Sequence, residues 1–490
     1  MREIELKFDV APGDCEAIGR APPLKGLRAR GQRLHAIYFD TPDHRLARHG
    51  FALRVRREGR RWIQCLKGGR TGEAGLHARD EWEVPRPDAT IDAALFAGTP
   101  LDAVLATPAA RKRLRPIFTV EMHRITWTTD VAGGGRVEVA LDRGEVRHGT
   151  RRSPVSELEI ESLEGDPAAV FRMADALLEH VALRPSAVSK AQRGYALARG
   201  ARPQPVKARE VELDRHETAA RAARRIVAAA LAQLQANEAR FIDSADDEYL
   251  HQFRVGLRRL RSVLRVFRDS FDAAMARDMR ADCRWISQVT GEARDWDVFV
   301  STVLPALRLG SSAPARKLPR GARAARANAR QAAREALRSP RYARFVLRFA
   351  RWLGSEPAQG RGKLRALAAS VLDRGHRKTM HGLRRLAAMT PQQRHRVRIR
   401  LKRMRYACEA LASLYGRKRA ARYVRALSRL QQDLGGAADA IASAALLGRL
   451  QPAAPLARRA QARLDAMARE SLAPAMRHVK AMRAARPFWR

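Results

Sequence analysis

Hydrophobic and charged residues alternate strictly at the start of the chain. In "EIELKF" (residues 3–8), three charged residues alternate with three apolar ones. Because successive side chains of a strand point to opposite faces, this pattern predicts a β-strand with one charged and one apolar face. A charged face of this kind is usually solvated, but it would also suit the wall of a cavity that holds an ionic ligand. The charged faces of the other predicted strands are needed to decide between these two interpretations.

Similar alternating segments continue through the first 200 residues and predict many strands separated by Gly, Pro and Asp. They are "FALRVRR" (51–57), "RWIQCLKGG" (61–69), "RDEWEV" (79–84), "IFTVEMHRITWTT" (117–129), "RVEVALD" (136–142) and "SELEIESL" (156–163), followed by a helical segment over 167–181. From residue 213 onward the pattern changes to Ala-, Leu- and Arg-rich helical periodicity. We therefore predict an α+β chain with a strand-rich domain at 1–200, a Pro- and Gly-containing linker at 201–212 and a helical domain at 213–490.

The helical part contains an internal repeat. "HQFRVGLRRLR" begins at His251 and "HRVRIRLKRMR" at His395, and the same offset of 144 residues separates "GEARDWDV" at Gly291 from "GGAADAIA" at Gly435. Two matched motifs at one offset indicate a duplicated helical unit. The predicted halves lie near 213–308 and 340–490.

Charge is distributed unevenly along the chain, whose formal net charge is +44. Residues 1–200 hold 33 Lys and Arg against 27 Asp and Glu, a net charge of +6, so the later residues carry +38. Such a field attracts polyanions, whether nucleic acid, an anionic membrane or polyphosphate. The four cysteines form no CxxC pair or Cys/His cluster, so we expect small buried side chains in a reducing compartment. We expect neither a secretory signal nor a membrane span, and hence a cytoplasmic protein.

The charged residues of five predicted strands fall on one face of each strand. Beside residues 3–8, these faces are Arg54 and Arg56; Arg79, Glu81 and Glu83; Arg136, Glu138 and Asp142; and Glu157, Glu159 and Glu161. Barrels line their interior with alternate strand positions, so the recurrence predicts a tunnel with carboxylates on some strands and Arg or Lys on others. Mg²⁺ takes carboxylate oxygens together with phosphates, and phosphate oxygens bind Arg and Lys. The chemistry predicted is metal-assisted phosphoryl transfer to water.

These segments, in this order, resemble the CYTH family of triphosphate tunnel metalloenzymes over about the first 200 residues. The resemblance rests on ExExK (Glu3, Glu5, Lys7), "YFDT" (38–41), "LRVRR" (53–57), "LK" (66–67), "RDEWE" (79–83), "ELEIE" (157–161) and "SKAQRGY" (189–195). It implies an eight-stranded antiparallel β-barrel that hydrolyses inorganic tripolyphosphate or organic triphosphates.

The resemblance also implies roles for individual residues. Mg²⁺ or Mn²⁺ would be bound by Glu3, Glu5 and Glu161, with Glu159 in support. The catalytic residues implied are Glu3, Glu5, Lys7, Glu159 and Lys190, with Glu159 positioning the attacking water. The phosphate-binding residues implied are Lys7, Arg54, Arg56, Lys67, Arg79, Arg124 and Lys190, while Glu81, Glu83 and Glu138 would orient basic side chains. For Arg124 a solvated strand face is an equal alternative, because Glu121 and His123 lie on the opposite face of its strand.

Each copy of the helical repeat predicts one basic and one apolar stripe, at 100° per residue. The basic stripes, predicted to bind an anion, are His251, Arg254, Arg258 and Arg261, and His395, Arg398, Lys402 and Arg405. The apolar stripes, predicted to be core, are Phe253, Leu257, Leu260, Leu264 and Phe267, and Val397, Leu401, Met404, Cys408 and Leu411.

This half resembles the CHAD domain, from about residue 213 to the C-terminus, which implies an all-α bundle of two similar four-helix halves that binds inorganic polyphosphate. One departure is that the first copy has Arg294 and Asp295 where the second has Ala438 and Asp439. Any role that needs a polar residue at both positions is therefore left open, and the two aspartates would instead support the basic helices by ion pairs.

Together with these features, the two resemblances imply hydrolysis of inorganic tripolyphosphate to pyrophosphate and phosphate in the tunnel. They also imply that the helical domain binds long-chain polyphosphate, including polyphosphate granules. One alternative keeps the chemistry but takes a nucleoside or thiamine triphosphate, or cyclises ATP as an adenylate cyclase does. Another is a non-catalytic polyphosphate-granule protein, which the intact acidic pairs disfavour. Nucleic acid is expected only as a non-specific competitor, because the helical half has few aromatic residues for base stacking.

Overall fold

The computed structural model describes residues 2–68, 75–200, 202–310, 312–355 and 363–490, and describes the backbone alone at residues 2–3, 77–79 and 391. It divides into two compact units, Met1–Gln204 with Arg338–Ser355, and Pro205–Leu337 with Glu356–Arg490. The first unit contains an antiparallel sheet and the second is helical, which confirms the α+β class. The segment Arg338–Ser355 groups with the sheet, whereas the periodicity placed it in the second helical half, so the exact domain boundaries stay a prediction.

Nine strands form the sheet of the first unit. They are β1 (Arg2–Val10), β2 (Arg30–Asp40), β3 (Ala52–Glu58), β4 (Arg61–Gly68), β5 (Leu76–Arg86), β6 (Arg115–Asp130), β7 (Arg136–His148), β8 (Arg151–Glu164) and β9 (Leu183–Pro185). Their order is β5-β4-β3-β2-β6-β7-β8-β1-β9, and β1 pairs in addition with β5. The predicted strand segments are confirmed over the described residues, with Gly69 at the end of one segment lying outside them, while β2 and the short β9 were not predicted.

Strand β1 is covered on both faces. Leu6 and Phe8 are fully buried, as the apolar face of a strand should be. Glu5 and Lys7 on the other face are nevertheless only 6% and 5% exposed. The charged face of "EIELKF" is therefore not solvated, which decides between the two interpretations of this strand.

Seven helices accompany the sheet in the described part of the first unit. They are α1 (Cys15–Arg20), α2 (Arg45–Arg48), α3 (Leu101–Val104), α4 (Pro108–Lys112), α5 (Ala169–Leu177), α6 (Lys190–Arg199) and, later in the chain, α12 (Pro340–Gly354). A capping box of Ser189 and Gln192 begins α6 and so fixes Lys190 in its first turn. A Cβ at Gly194 would lie 2.2 Å from Phe118, so only glycine lets α6 pack this closely on β6.

The helices of the second unit follow the predicted repeat. They are α7 (Ala219–Asp243), α8 (Asp247–Val266), α9 (Ala273–Val298), α10 (Leu304–Ala306), α11 (Ala313–Arg338), α13 (Leu364–Leu383), α14 (Pro391–Leu411), α15 (Arg417–Arg449), α16 (Ala454–Glu470) and α17 (Leu472–Ala484). At the 144-residue offset, α7, α8 and α9 correspond to α13, α14 and α15, while α16 and α17 together correspond to α11. Every residue of the two predicted apolar stripes is at most 2% exposed, so both stripes are core.

The core of the first unit lies between the sheet and its helices. One cluster joins β2, β6, β7 and β8 to α6 and includes Tyr38, Phe118 and Tyr195. All four cysteines are free and buried, as predicted. No helix in the described ranges combines the length and apolar content needed to cross a membrane.

Candidate active site and candidate anion-binding groove

The charged strand faces of the first unit meet in one cavity of about 270 Å³, which we call the polar cavity. Its acidic lining residues are Glu5, Glu58, Glu81, Glu83, Glu138, Glu159 and Glu161. Its basic lining residues are Lys7, Arg54, Arg56, Lys67, Arg124 and Lys190. The structure thus brings together the predicted residues of the first unit except Glu3 and Arg79, whose side chains lie outside the described part of the chain, although their backbones pair between β1 and β5.

At one wall of the polar cavity, three cations hold a single carboxylate, that of Glu159. Its Oε1 lies 2.6 Å from Lys7 Nζ and 2.8 Å from Lys190 Nζ, and its Oε2 lies 2.6 Å from Arg124 Nη2. Burial alone would raise the pKa of Glu159, but the charges of Lys190, Lys7 and Arg124 hold it well below its usual range. These contacts favour a role for Glu159 in orienting cations, and its predicted role as a metal ligand stays a prediction.

Behind Glu159 two further carboxylates fix these cations. Asp142 and Glu157 are fully buried, and Lys190 Nζ lies 2.7 Å and 2.9 Å from them. Arg124 donates to both oxygens of Asp142, from Nε at 2.7 Å and from Nη2 at 2.6 Å. Burial by itself would lower the pKa of Lys190, but the carboxylates of Asp142, Glu157 and Glu159 raise it well above its usual value. Lys190 is therefore a permanent cation, and Arg124 belongs to the cavity and not to a solvated strand face.

A second basic group is held on β3 and β4. Lys67 Nζ lies 2.9 Å from Glu81 Oε2, and Arg54 Nη2 lies 3.7 Å from Glu81 Oε1. Arg54 also donates to the hydroxyl of Tyr38 at 3.3 Å. Arg56 lies 3.4 Å from Glu83 and forms a second ion pair with Glu58. The predicted orienting role of Glu81 and Glu83 agrees with these contacts.

Carboxylates at opposed positions of three adjacent strands form the acidic part of the polar cavity. Glu161 of β8 pairs in register with Glu5 of β1 and with Glu138 of β7. Like charges directly opposite each other destabilise a sheet, so a cation among them would offset their repulsion. Carboxylate oxygens are hard donors that suit Mg²⁺ and Mn²⁺, and neighbouring Lys and Arg suit the phosphates that often complete the coordination of Mg²⁺. These residues therefore fit the implied divalent metal, and Glu138, for which the sequence predicted only an orienting role, becomes a further ligand candidate.

A second group of possible metal-donor atoms lies beside the polar cavity. Atoms of Cys65, Glu81 and Glu83 lie within 4.8 Å of one another. Burial, above all, raises the pKa of the Cys65 thiol to about 12, so the thiol keeps its proton and donates to Glu81 at 2.9 Å. This group is therefore satisfied internally. The opposed glutamates are the better candidate for Mg²⁺, which takes one or two carboxylates and fills its other positions with water and phosphate.

Several lining or supporting residues were missed by the sequence analysis as site residues. They are Gln32, Tyr38, Glu58, Asp142 and Glu157. Asp142 and Glu157 share a strand face with predicted site residues, which was the available signal. Glu58 follows Arg54 and Arg56 on the same face of β3, one residue beyond the predicted segment, whereas Gln32 lies on β2, which was not predicted.

The two basic stripes of the second unit face one cavity of about 420 Å³, which we call the basic groove. It is lined by Arg254, Arg258 and Arg261 of α8, by His395, Arg398 and Lys402 of α14, and by Arg265, Arg403 and Tyr406 among others. Two predicted residues, His251 and Arg405, are not among its lining residues. The guanidinium of Arg405 instead binds Glu409 at 2.6 Å and Gln431 at 2.9 Å. Burial, followed by the charge of Arg294, lowers the pKa of His251 to about 4, so its imidazole is neutral at pH 7.

An excess of positive over negative charge is the main electrostatic feature of the basic groove. Burial, followed by the charges of Arg398 and Arg258, lowers the pKa of Lys402 to about 7. Burial and Arg258 likewise lower the pKa of Arg254 to about 10. Of the two aspartates expected to support these helices, Asp439 lies 3.8 Å from Arg398. Cations packed so closely that each lowers the pKa of its neighbours are typical of a site that binds an anion.

The two units define a class of protein in which a sheet with a cavity of paired acids and bases is followed by a helical repeat with a basic groove. Residues 1–195 match the model of the CYTH domain, and residues 225–448 match the model of the CHAD domain. The chain therefore consists of a CYTH domain followed by a CHAD domain, and both resemblances found in the sequence are confirmed.

Individual relatives cover parts of the chain. An inorganic triphosphatase of Haemophilus influenzae is 30% identical over 200 residues, which are 40% of this chain and 55% of that protein. An uncharacterised protein of Mycobacterium tuberculosis is 28% identical over 322 residues, 61% of this chain and 58% of its own length. The chain thus spans little more than half of either relative. The crystal structure of the CHAD domain from Ricinus communis is 30% identical, with a TM-score of 0.51, and covers 58% of this chain and 96% of that one.

Proposed function

We propose that the first unit is a metal-dependent triphosphatase that hydrolyses inorganic tripolyphosphate to pyrophosphate and phosphate. The observation that carries this proposal is the convergence of seven glutamates and six cations on one cavity. The pairing of Arg2–Leu6 of β1 with Leu76–Asp80 of β5, the other end of the strand order, supports a tunnel formed by β1 to β8. The activity named for the Haemophilus influenzae relative supports the same reaction class.

In this proposal the two basic walls bind the phosphate chain between them. Lys7, Arg124 and Lys190 face it from one side and Arg54, Arg56 and Lys67 from the other, each oriented by the carboxylates described above. Water adds to a terminal phosphorus, the bond from that phosphorus to the bridging oxygen breaks, and the proton of the water leaves to solvent. Mg²⁺ or Mn²⁺ held by Glu5, Glu161 and Glu138, with Glu3 as predicted, would neutralise charge that develops on the phosphate oxygens.

Glu159 is suited to orient the attacking water and not to take its proton. Its pKa is held well below the usual value of a glutamate, so its carboxylate is a weak base. A carboxylate that stays ionised can still accept a hydrogen bond from water, and three cations keep it in place. Its predicted positioning role is therefore retained in this proposal.

The size of the polar cavity favours an inorganic substrate over a nucleoside or thiamine triphosphate. Pockets for organic ligands usually have volumes of about 300–1,000 Å³, and the polar cavity has about 270 Å³. Tyr38 is its one aromatic lining residue among those described, and its hydroxyl is engaged by Arg54. The cavity therefore offers many charged partners to a phosphate chain but few stacking partners to the aromatic ring of a nucleobase or of thiamine.

Phosphate release from tripolyphosphate, compared with release from ATP and from pyrophosphate, tests this proposal. We expect release only with Mg²⁺ or Mn²⁺, and a higher kcat/KM for tripolyphosphate than for ATP. A preference for ATP would instead indicate that the substrate is an organic triphosphate. If folded protein released no phosphate from any of the three with either metal, the triphosphatase assignment would be wrong.

We also propose that the basic groove binds inorganic polyphosphate. Two helices of the repeat present their cations to one cavity, where burial and mutual repulsion lower the pKa values of Lys402 and Arg254. A linear polyanion supplies the missing negative charge without needing aromatic contacts, and Tyr406 is the one aromatic lining residue described. Competition of labelled polyphosphate by single-stranded DNA at fixed salt tests the preference, and equal affinity for the two would contradict it.

Polyphosphate binding by the basic groove is expected to weaken above pH 7. The pKa of Lys402 in the free protein is lowered to about 7, and a bound phosphate raises it, so binding above pH 7 takes up a proton. The affinity is then nearly constant below pH 7 and falls by at most about tenfold per pH unit above it. Kd measured as a function of pH checks this expectation, with Lys402→Gln as the variant that should lose the dependence. A wild-type profile that matches that of the variant would contradict it.

A further inference from the structure

Beside the basic groove, the second unit contains a larger cavity of about 1300 Å³, which we call the second cavity. It lies between α13, α14 and the C-terminal part of α8, and its cations include Arg374, Arg377, Lys378, Arg400 and Arg403. Asp269 is the one carboxylate among its described lining residues, and it already pairs with Arg268 at 3.2 Å. The proposed functions above do not use this cavity.

The internal repeat shows that the second cavity lies where the first half of the repeat has a close helix–helix contact. In the first half, Gly256 of α8 lets α7 approach closely, because a Cβ there would lie 3.1 Å from the carbonyl oxygen of Ala230 and 3.2 Å from Leu234. Ala230 and Leu234 are fully buried in this helix contact. At the 144-residue offset, the equivalent residues are Arg400, Arg374 and Lys378. All three are exposed and line the second cavity, so cations occupy the positions of a close helix–helix contact.

A hydrogen bond of the first half is replaced in the same way. Arg259 of α8 donates to the side-chain oxygen of Gln233 on α7 at 3.0 Å. The equivalents of this pair are Arg403 and Arg377, two cations that line the second cavity together. Within the described ranges, neither Arg400 nor Arg403 forms an ion pair. Like charges repel, so an anion bound between the two cations would be stabilised by both.

The second cavity adjoins the basic groove. Ser262, Arg265 and Arg403 line both. Arg265 also lines a third cavity of about 240 Å³ whose described lining residues are all arginines. Burial, followed by the charge of Arg403, lowers the pKa of Arg265 to about 10. A polyanion that leaves the groove at Arg265 therefore meets further uncompensated positive charge.

We propose that the second cavity is an additional polyphosphate-binding segment, joined to the basic groove at Arg265 and Arg403 and occupied by chains that extend beyond the groove. The proposal rests on polyphosphate binding by the groove. Nucleic acid fits less well, because no Phe, Tyr or Trp is among the lining residues described for the second cavity and bases would find no stacking partner. The segment makes the affinity of the protein depend on the length of the polyphosphate chain.

The triple variant Arg374→Gln, Arg377→Gln and Lys378→Gln in the full chain tests this inference. All three side chains are exposed, so the fold should be retained. With a chelator present to prevent hydrolysis, we expect Kd for long-chain polyphosphate to rise by about tenfold, equivalent to about 1.4 kcal/mol. Kd for short chains should be unchanged. The slope of log Kd against log salt concentration should fall by about two to three for long chains, since each lost phosphate contact removes roughly one.

A matched control removes the same charge elsewhere in the second unit. Arg458→Gln, Arg459→Gln and Arg469→Gln changes three exposed arginines of α16 that line none of these cavities, and long-chain binding should stay within about twofold of wild type. If the two triple variants bound long chains equally well, the second cavity would not be a binding segment. Failure of wild-type protein to bind polyphosphate of any length would instead overturn the proposed function of the groove, and this inference with it. Weaker binding of DNA alone in the α13 variant would assign the cavity to nucleic acid and contradict the proposal.

Discussion

Replacing Lys190 with Met is expected to destabilise the first unit by about 3–5 kcal/mol, because the change removes the cation of a buried ion pair and leaves its carboxylate partners buried. Asp142 and Glu157 are fully buried, and each loses a cation at less than 3 Å. Arg124 still compensates Asp142, so the native fold should persist in the absence of denaturant. Urea unfolding of wild type and variant measures this difference.

The same variant should lower kcat/KM for tripolyphosphate by about 100-fold or more, the usual effect of losing one group aimed at developing charge. Lys190 lines the polar cavity and is one of three cations that hold Glu159. The double variant Lys190→Met with Asp142→Asn separates the two effects. It should recover part of the stability, because one buried charge is removed together with its partner, but none of the activity. Equal stability of the single and double variants would contradict the assigned pairing.

The destabilisation by Lys190→Met should depend on pH in a defined direction. In wild type the pKa of Glu159 is held well below its usual value, so its contribution to stability is present above the unfolded-state pKa and is lost as pH falls through the folded-state pKa. In the variant, Asp142 and Glu159 lose the cation that lowers their pKa values, so both can take up protons more readily. The difference in unfolding free energy should therefore be largest near neutral pH and shrink below about pH 4.5. A difference that grows on acidification would contradict this account.

The strands and the site residues were predictable from the sequence where an alternating pattern was long enough to be seen. The charged faces of β1, β3, β5, β7 and β8 identified most of the polar cavity, because side-chain direction follows from position alone. Strand β2 was missed because its first residues are polar on both faces, so Gln32 and Tyr38 were missed as well. Asp142 orients Arg124 because the two residues lie opposite each other on β7 and β6. This depends on the strand register, which the alternating pattern does not predict.

In the helical half, the repeat predicted the equivalent helices but not their differences. The basic stripes were visible in each copy, whereas the departure of Arg405 toward Glu409 and the neutral state of His251 depend on their three-dimensional surroundings. The second cavity was hidden for a related reason. Its cations lie on α13 and α14, and only the comparison of Arg400 with Gly256, which lies in the close helix contact of the first half, indicates what they replace.

Replacing Glu5 with Gln is expected to reduce metal-dependent hydrolysis of tripolyphosphate by at least about 100-fold. Glu5 lies opposite Glu161 in register, and Glu161 lies opposite Glu138, so the change removes one of three carboxylates that would share a divalent cation. Lys7 keeps its contact with Glu159 at 2.6 Å, so the phosphate-binding wall should stay in place. The loss should therefore appear mainly as weaker metal binding, and excess Mn²⁺ should restore part of the rate.

Calorimetric titration with Mn²⁺ in the absence of substrate distinguishes this role from a purely structural one. The variant Glu5→Gln should bind Mn²⁺ at least about tenfold more weakly than wild type, whereas Glu16→Gln should bind it equally well. Glu16 offers a matched control because its side chain is 76% exposed on α1 and pairs only with Arg20 in the described contacts. Glu138→Gln tests the third ligand in the same way. If Glu5→Gln and Glu138→Gln both kept wild-type affinity for Mn²⁺, the opposed glutamates would not be the metal site, and the charged face of "EIELKF" would serve to orient Lys7 alone.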